Sequence, residues 1–258
     1  MEKRPVIFYD LECTGADLDK NKIRIIEISA IKVDIDTLKE IDRLYYRCSN
    51  GDVPIAPDAT ARHGVKEEDL VGCPTFQEVA QKVYKFFEGC DLGGYYCTFY
   101  DNIILYMSFL RAGITWNFRE LKVYDIYMLY KKYNTGKLCD VYRRYTGNEL
   151  DHAHEAEADI LATLAVYDAQ RKMGEEFESD DELYVYKNSL DILGNFKIRQ
   201  NSEGKNEIYV DFGKRWKGCN VMDVDIDYFE WMISHPDNFP IDTIHYAKKI
   251  WEMKQHKG

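Results

Sequence analysis

The sequence predicts an α/β protein in which helices cover a mixed sheet. Three observations lead to this class. The first 50 residues contain three strand-like runs joined by polar turns. Beyond residue 70, short apolar runs alternate with segments whose apolar residues recur every three to four positions, as in amphipathic helices. A change in charge near residue 175 then marks off a smaller second part. Strands that begin as a meander and then alternate with helices are typical of a layered α/β sheet.

Three strands are expected in the first 50 residues. The first begins with Val6-Ile7-Phe8-Tyr9, a short apolar run that fits the middle of a sheet. The second is rich in Ile and Val, and the third alternates less cleanly between apolar and polar residues. Polar spacers at 17–21 and 34–37 indicate turns, as in a β-meander. The predicted bounds of the strands are 6–10, 23–33 and 38–48.

Helices and further strands follow from residue 75 onward. Thr75 is the expected N-cap of the first helix, because apolar residues from Phe76 to Phe87 recur at helical spacing and Gly89 ends the pattern. Gly113 closes a second, mostly apolar helix. Along the chain the expected elements are a strand at 91–96, a helix at 101–111, a strand at 121–124, and helices at 126–132, 138–145 and 155–172.

An acidic run at 175–184 is expected to be a solvated linker between two domains. Residues 185–258 hold 11 Lys and Arg and 11 Asp and Glu, so this segment is neutral. Residues 1–184 hold the other 23 Lys and Arg and 34 Asp and Glu, and they carry the whole net charge of −11. The sequence therefore predicts a large domain at 1–174 and a small α+β accessory domain at 185–258. The accessory domain is expected to contain strands at 196–200 and 207–212 and helices at 227–234 and 241–253.

Composition excludes several classes of function. No apolar stretch approaches the roughly 18 residues of a membrane span, and the apolar run after Pro5 is too short for a signal peptide, so we expect a cytoplasmic protein without a membrane partner. Seven cysteines without a C-x-x-C pair indicate reduced thiols. The net charge of −11 speaks against a passive nucleic-acid coat, but not against an enzyme that approaches a phosphodiester through metal ions.

Asp10-Leu11-Glu12, at the end of the first strand, is the most informative motif. Residues two apart on a strand project from the same face, so both carboxylates point into one pocket. Two like charges in an apolar setting need a cation to keep both ionised, which favours a hard-metal site built from oxygens. The alternative is a strand that runs out into solvent, where Asp and Glu are ordinary.

Asp101, His154 and Asp159 complete a chemically sensible set. Asp101 opens a helix, where helix capping is the alternative role. His154 and Asp159 can face one pocket if the histidine lies on the loop before the helix and the aspartate one turn inside it. A surface histidine and a solvated aspartate are the alternative. Four carboxylates suit two Mg²⁺ or Mn²⁺ ions, and a histidine can accept a water proton near neutral pH, which together would hydrolyse a phosphodiester.

The motif order resembles the DnaQ-like (DEDDh) 3′–5′ exonuclease family, which includes the epsilon proofreading subunit of bacterial replicative polymerase. The first family motif is similar to Phe8–Gly15, the second to Gly94–Leu105 and the third to the segment that holds His154 and Asp159. The resemblance covers about residues 5–172. It implies a ribonuclease H-like mixed sheet flanked by helices, and it makes 1–174 the exonuclease domain.

The resemblance also implies roles for individual residues. One of two Mg²⁺ or Mn²⁺ ions would be bound by Asp10, Glu12 and Asp159. Asp10 would bridge to the second ion, which Asp101 would support, and His154 would be the general base. Contacts to the 3′-terminal nucleotide would come from Thr14, His63 and Tyr100.

Four residues depart from the family pattern. Cys13 stands where Thr is usual, Tyr96-Cys97 where His-Asn is common, and Tyr100 where Phe is usual. Tyr100 keeps an aromatic ring, whereas Tyr96-Cys97 leave the geometry of their loop open. None of the departures removes an expected metal ligand.

The implied activity is hydrolysis of DNA from its 3′ end with release of nucleoside monophosphates, in repair or replication. The expected partner is DNA with single-stranded 3′ ends, together with a polymerase or repair protein. Two alternatives stay open. One is an RNA-trimming 3′–5′ exoribonuclease, because one or two contacts to the 2′-OH separate RNA from DNA. The other is a non-catalytic nucleic-acid-binding relative that keeps the fold.

Residues 191–252 are similar to the small C-terminal module of exonuclease X-like members of the family, through the runs Val210–Gly218 and Asp227–Met232. Cationic residues near Trp216 are candidates for a basic, aromatic strip that contacts a nucleic-acid backbone, namely Lys197, Arg199, Lys214, Arg215 and Lys217. The alternative is an accessory domain whose aromatic residues form its core and whose lysines are solvated.

Overall fold

A five-stranded mixed sheet lies at the centre of the first of two compact units. The computed structural model describes residues 3–16, 22–132, 136–151 and 153–256, so the turn expected at 17–21 lies outside the described residues. The strand order is β3-β2-β1-β4-β5, in which β1, β2 and β3 form the predicted antiparallel meander and β4 and β5 run parallel to β1. The α/β class is confirmed. The strands are β1 (Val6–Cys13), β2 (Ile25–Val33), β3 (Glu40–Arg47), β4 (Asp91–Gly94) and β5 (Val123–Asp125).

Helices cover both faces of this sheet. Successive residues of β1 point to opposite faces. Tyr9 therefore packs against Phe87 of α2, with ring centroids 5.1 Å apart, while Phe8 lies 6.2 Å from Tyr167 of α6. The helices of this unit are α1 (Pro57–His63), α2 (Phe76–Phe87), α3 (Asp101–Arg111), α4 (Ile126–Lys131), α5 (Leu138–Thr146), α6 (Ala156–Lys172) and α7 (Asp180–Leu183).

β1 is longer than the sequence suggested. It continues three residues beyond Asp10, because β2 supplies a partner as far as Cys13. Asp10 lies opposite Ser29 and Glu12 opposite Glu27, so the carboxylates lie within the sheet and not in a solvent-exposed loop. Acidic residues are depleted from strands, which is why propensity alone ended this strand too early.

α1 is an element that the sequence analysis missed. It has only seven residues and only Ala59 among them is buried, so no apolar periodicity marks it. Pro57 in its first turn and Gly64 after its end, at a φ of 74°, are the signals that could have identified it. Its last residue, His63, belongs to the candidate site.

The acidic run at 175–184, expected to be a solvated linker, is mostly exposed and lies at the end of the first unit. It packs within the first unit, where it forms α7 and buries Leu183. Lysines of the same unit pair with it: Lys122 lies 2.6 Å from Asp180, and Lys132 lies 2.9 Å from Glu182. These partners are far away in sequence, so charge composition alone could not reveal them.

The second unit contains residues 115–120 and the chain from Val185 onward. Its antiparallel hairpin is formed by β6 (Phe196–Gln200) and β7 (Asn206–Val210), and its helices are α8 (Ile226–Ser234) and α9 (Ile241–Gln255). A buried carboxylate fixes the segment before β6, since Asp242 accepts the N–H of Ile192 at 2.5 Å. Asp191 accepts the N–H of Phe196 at 2.8 Å. These polar contacts order a unit with a small hydrophobic core.

The expected basic strip of the second unit is largely engaged within the unit. Trp216 packs partly buried against the core. Arg215 lies over the Trp216 ring at 4.6 Å and pairs with Asp225 at 3.3 Å, while Lys217 lies 3.9 Å from Asp211. These contacts favour the alternative, an accessory domain whose aromatic residues serve its core.

All seven cysteines are free thiols. Across the described part of the chain, no helix combines the length and apolar character that crossing a membrane requires.

Gly93 provides the first testable prediction. A Cβ at this position would lie 2.8 Å from three carbons of the buried Phe8 ring. We expect Gly93→Ala to lower the free energy of unfolding by about 1–3 kcal/mol through overpacking, measured by urea denaturation. Gly15→Ala is the matched control, because its Cβ would meet its nearest neighbour at 3.9 Å. Equal effects of the two variants would contradict close packing between β1 and β4.

Candidate active site

The candidate site lies where β1 passes the beginning of α3. Glu12 and Asp101 are buried, and Asp10 is half-buried. Tyr100 and not Asp101 is the N-cap residue of α3, and the Asp101 side chain instead accepts the backbone N–H of Leu11 at 3.2 Å. This hydrogen bond ties the beginning of the helix to the strand segment that carries the first two carboxylates.

His154 and Asp159 approach from α6. His154 is exposed and lies two residues before the helix with a φ of 71°, a left-handed conformation that bends the chain into the helix. The backbone N–H of His154 donates to Oδ1 of Asp159 at 3.4 Å, and Asp159 lies one turn inside the helix. The placement is the one that the spacing required, with the histidine on the loop and the aspartate on the helix. Neighbouring His152 lies outside the described residues.

Electrostatics shows that the four carboxylates share one region. Burial raises the pKa of Asp10, and the charges of Asp101, Glu12 and Asp159 raise it further. Burial also raises the pKa of Glu12 to about 8 and that of Asp101 to about 7, and it raises the pKa of Asp159. Like charges that approach one another out of water favour the protonated form. The arrangement therefore calls for positive charge.

Two residues near Glu12 were not identified from the sequence. Glu27 lies opposite Glu12 on β2 and is buried, but its charge is met by Arg47 at 2.8 Å. The positive charge of Arg62 on α1 lowers the pKa of Glu12 against the effect of burial. A glutamate inside the Ile-rich run of β2 was the signal for Glu27. Arg62 had no such signal, because its effect depends on how α1 packs.

Thr14 and Tyr100 hold the chain just beyond β1. The buried Thr14 hydroxyl accepts the N–H of Arg24 at 3.0 Å. The Tyr100 hydroxyl donates to the carbonyl of Gly15 at 2.7 Å. Both expected substrate residues therefore lie at the end of the strand that carries Asp10 and Glu12.

His63 is held by a hydrogen bond at one ring nitrogen. Nδ1 accepts the N–H of Val65 at 3.1 Å, which places the proton of the neutral ring on Nε2. Burial lowers the pKa of His63, which favours the neutral ring. Nε2 is buried, and the ring lies beside the backbone of Cys13. His63 therefore lies at the end of β1, next to the segment that carries Asp10 and Glu12.

The donor set fits a hard divalent cation in its chemistry. Carboxylate oxygens are the ligands that Mg²⁺ and Mn²⁺ prefer, and burial raises the pKa of all four acids. The side chains do not form a finished coordination cage: among the described residues, no three His, Cys, Asp or Glu side chains are grouped as metal ligands. A cavity of only about 10 Å³ adjoins Asp10 and Asp159.

Comparison with known sequences identifies the family of this chain. The chain matches the exonuclease (RNase T) family over residues 7–167. It is 30% identical over 161 residues to the 3′–5′ exonuclease DinG of Staphylococcus saprophyticus, which covers 60% of this chain and 17% of that protein. The DinG protein of Staphylococcus epidermidis is 28% identical over 182 residues, covering 69% of this chain and 19% of the relative. The chain thus spans less than a fifth of these relatives.

Solved structures show the fold. E. coli exonuclease I in complex with a dA16 oligonucleotide has a TM-score of 0.58 at 18% identity, covering 71% of this chain and 43% of that one. A zinc-bound complex of the same E. coli enzyme with single-stranded DNA has a TM-score of 0.56 at 17% identity, covering 66% and 41%. The likeness confirms the ribonuclease H-like fold.

The family match covers the segment that contains every expected carboxylate and His154. It ends before residue 191, so the resemblance of the second unit to exonuclease X-like modules stays a prediction. Over its larger unit, this chain belongs to the exonuclease (RNase T) family and is a DnaQ-like 3′–5′ exonuclease homologue.

Proposed function

We propose that the protein is a metal-dependent 3′–5′ exonuclease that hydrolyses DNA from its 3′ end and releases nucleoside monophosphates. One observation carries the proposal: carboxylates from three separate elements, β1, α3 and α6, converge on half-buried Asp10, close enough for their charges to raise its pKa. Ion pairs that stabilise a fold bring opposite charges together, whereas this arrangement accumulates like charge. Such accumulation is expected at a metal-dependent catalytic site.

The four acids are assigned to two divalent cations, Mg²⁺ or Mn²⁺. Asp10, Glu12 and Asp159 would hold one, and Asp10 with Asp101 the other. When bound, the cations supply positive charge that offsets the negative charge developing on the phosphoryl oxygens and the leaving 3′ oxygen. The buried Asp101 carboxylate is held by the N–H of Leu11. Glu12 is held by the pairing of β1 with β2.

His154 is assigned as the general base. His154 is solvent-exposed and its backbone N–H contacts Asp159, so its imidazole is available to accept the proton of an attacking water. The water oxygen forms a bond to phosphorus, the bond from phosphorus to the 3′ oxygen breaks, and the leaving oxygen takes a proton from solvent. The hydrogen bond from the backbone N–H of His154 to Asp159 holds the loop before α6 next to the four acids.

Thr14, His63 and Tyr100 are assigned to the 3′-terminal nucleotide. His63 lies beside the Cys13 backbone at the end of β1, and Tyr100 offers a ring held by its hydroxyl. DNA is favoured over RNA because the similar E. coli structures are complexes with single-stranded DNA or deoxyoligonucleotides. The same proposal includes a polymerase or repair partner and a cytoplasmic location. It also divides the chain into an exonuclease domain at 1–174, a connecting segment at 175–184 and an accessory domain at 185–258.

The experiment uses one single-stranded DNA labelled at its 5′ end and the same strand labelled at its 3′ end, with Mg²⁺. We expect immediate release of labelled mononucleotide from the 3′-labelled strand and a shortening ladder from the 5′-labelled one. A matched RNA tests the exoribonuclease alternative. Release from the 5′ end, internal cleavage, or no cleavage with either Mg²⁺ or Mn²⁺ would refute the proposal. Chelation by EDTA should stop the reaction.

A further inference from the structure

The loop between β4 and α3 adopts a conformation that costs energy. Tyr96 has a φ of 63°, in the left-handed region that residues other than Gly, Asn and Asp rarely enter. Such a residue is disfavoured by about 1–2 kcal/mol. This is the loop in which Tyr96-Cys97 replaces the commoner His-Asn pair.

Asp125 and Cys97 hold this strained loop in place. The buried Asp125 carboxylate accepts the N–H groups of Tyr96 and Thr98, each at 3.0 Å, and also that of Tyr127 at 3.1 Å. Cys97 is buried against Gly94, where a Cβ would lie 2.8 Å from the Cys97 Cβ. The conformation is therefore fixed from two sides, and strain that is held in this way is common at functional sites.

The fixed loop turns aromatic rings toward solvent. Tyr96 is 46% exposed and Phe99 is 42% exposed, and their ring centroids are 5.1 Å apart. Tyr127, at the beginning of α4, meets the Tyr96 ring edge-on at 5.1 Å. We call Tyr96, Phe99 and Tyr127 the aromatic rim. The Tyr96 ring contacts both of the others, so the three form a contiguous aromatic patch, and exposed patches of this kind mark binding sites.

The aromatic rim lies at the same edge of the sheet as the carboxylates. β1, β4 and β5 are parallel, so their carboxyl ends meet at one edge. Asp10 and Glu12 lie toward the end of β1, the rim loop follows β4, and Tyr127 follows β5. Phe99 is two residues from Asp101 in the chain.

We propose that the aromatic rim is a stacking site for an unpaired nucleobase of the substrate strand. The inference rests on the proposed function. Flat rings accept the face of any base, and such stacking tolerates sequence, as a non-specific exonuclease requires. A base within a duplex has both faces covered by its neighbours, so the rim favours unpaired ends. The rim residues are positioning residues and have no part in the chemistry of hydrolysis.

The test measures binding apart from hydrolysis. The full chain is titrated against a fluorescein-labelled single-stranded thymidine oligonucleotide in Ca²⁺, with the oligonucleotide checked to stay intact, and anisotropy gives the dissociation constant. Tyr96→Asn removes a ring and keeps a residue that tolerates positive φ, and Phe99→Leu removes a ring and keeps an apolar side chain. We expect each variant to bind about tenfold more weakly. Ile41→Ala, at a 55% exposed apolar residue on β3, is the control and should bind normally.

A series of oligonucleotides with one abasic site, moved stepwise from the 3′ end, identifies the stacked base. The native protein should lose affinity at one position, and Tyr96→Asn should show no further loss there, because the two changes remove the same contact. Unchanged affinity in both ring variants, additive losses at every position, or no binding by the native protein would overturn the inference. Tight binding without hydrolysis in Mg²⁺ would instead refute the proposed activity and leave the aromatic rim standing. If the native protein hydrolyses DNA in Mg²⁺ and the two ring variants bind as tightly as it does, the proposed activity stands and the aromatic rim is refuted.

Discussion

The Asp10→Asn variant is expected to lose hydrolysis of single-stranded DNA by at least about a thousandfold, or roughly 4 kcal/mol in the activation barrier. Asp10 is assigned to both cations, so its loss removes one ligand from each. Asparagine keeps the shape of the side chain, and residue 10 keeps its pairing with Ser29. The variant should therefore fold normally.

Initial rates with labelled DNA and thermal unfolding without metal test this prediction together. We expect the midpoint of unfolding to stay equal or rise, because the substitution removes repulsion from three other carboxylates. Asp42→Asn, at an exposed position on β3, is the control and should keep full activity. Residual activity above about a tenth of the native rate would argue against Asp10 as a shared ligand.

Without divalent cations, the protein is expected to become less stable as the pH rises from about 4 to about 8. Glu12 has a pKa of about 8 and Asp101 of about 7 in the folded state, against ordinary values of 4.5 and 3.8. Within this window the unfolded chain has released protons that the folded protein still holds, so raising the pH favours unfolding. Below the ordinary values both states are protonated and the effect disappears. The total is on the order of several kcal/mol.

The measurement is the unfolding midpoint in EDTA across this pH range, repeated with Mn²⁺. A loss on the order of 10 °C is expected without metal. Mn²⁺ should restore stability most at the alkaline end, where the carboxylates are ionised. Glu12→Gln should flatten the metal-free curve, whereas Glu203→Gln, at an exposed hairpin position, should not. A midpoint that rises with pH in EDTA would contradict buried repulsion at the site.

The parts that could be predicted from the sequence are those with local signals. The meander, the α/β class and α2 with its Thr75 cap follow from periodicity and capping, and the structure shows them. Placement of His154 before α6 and Asp159 inside it follows from helical geometry. The four acids can be singled out by their places near the end of an apolar strand run and at the beginnings of two helices.

Long-range partners could not be predicted in this way. β1 extends to Cys13 because β2 pairs with it, and no property of residues 11–13 indicates this. Lys122 and Lys132 form ion pairs with the acidic segment, although they lie far from it in the chain. In the sequence Asp125 is an ordinary acid at the end of a strand, and only the structure shows that its carboxylate accepts the N–H of Tyr96.

The position of Asp10 and Glu12 within the sheet has a consequence for how the site is lost. Leu11, between them, has its N–H engaged by Asp101, and the segment pairs with β2 along its length. Amide hydrogens here should exchange with deuterated water only through opening of the whole sheet, among the slowest in the chain. Fraying of loops or termini would leave the acid cluster intact. The protein should therefore lose this site only when its first unit unfolds as a whole.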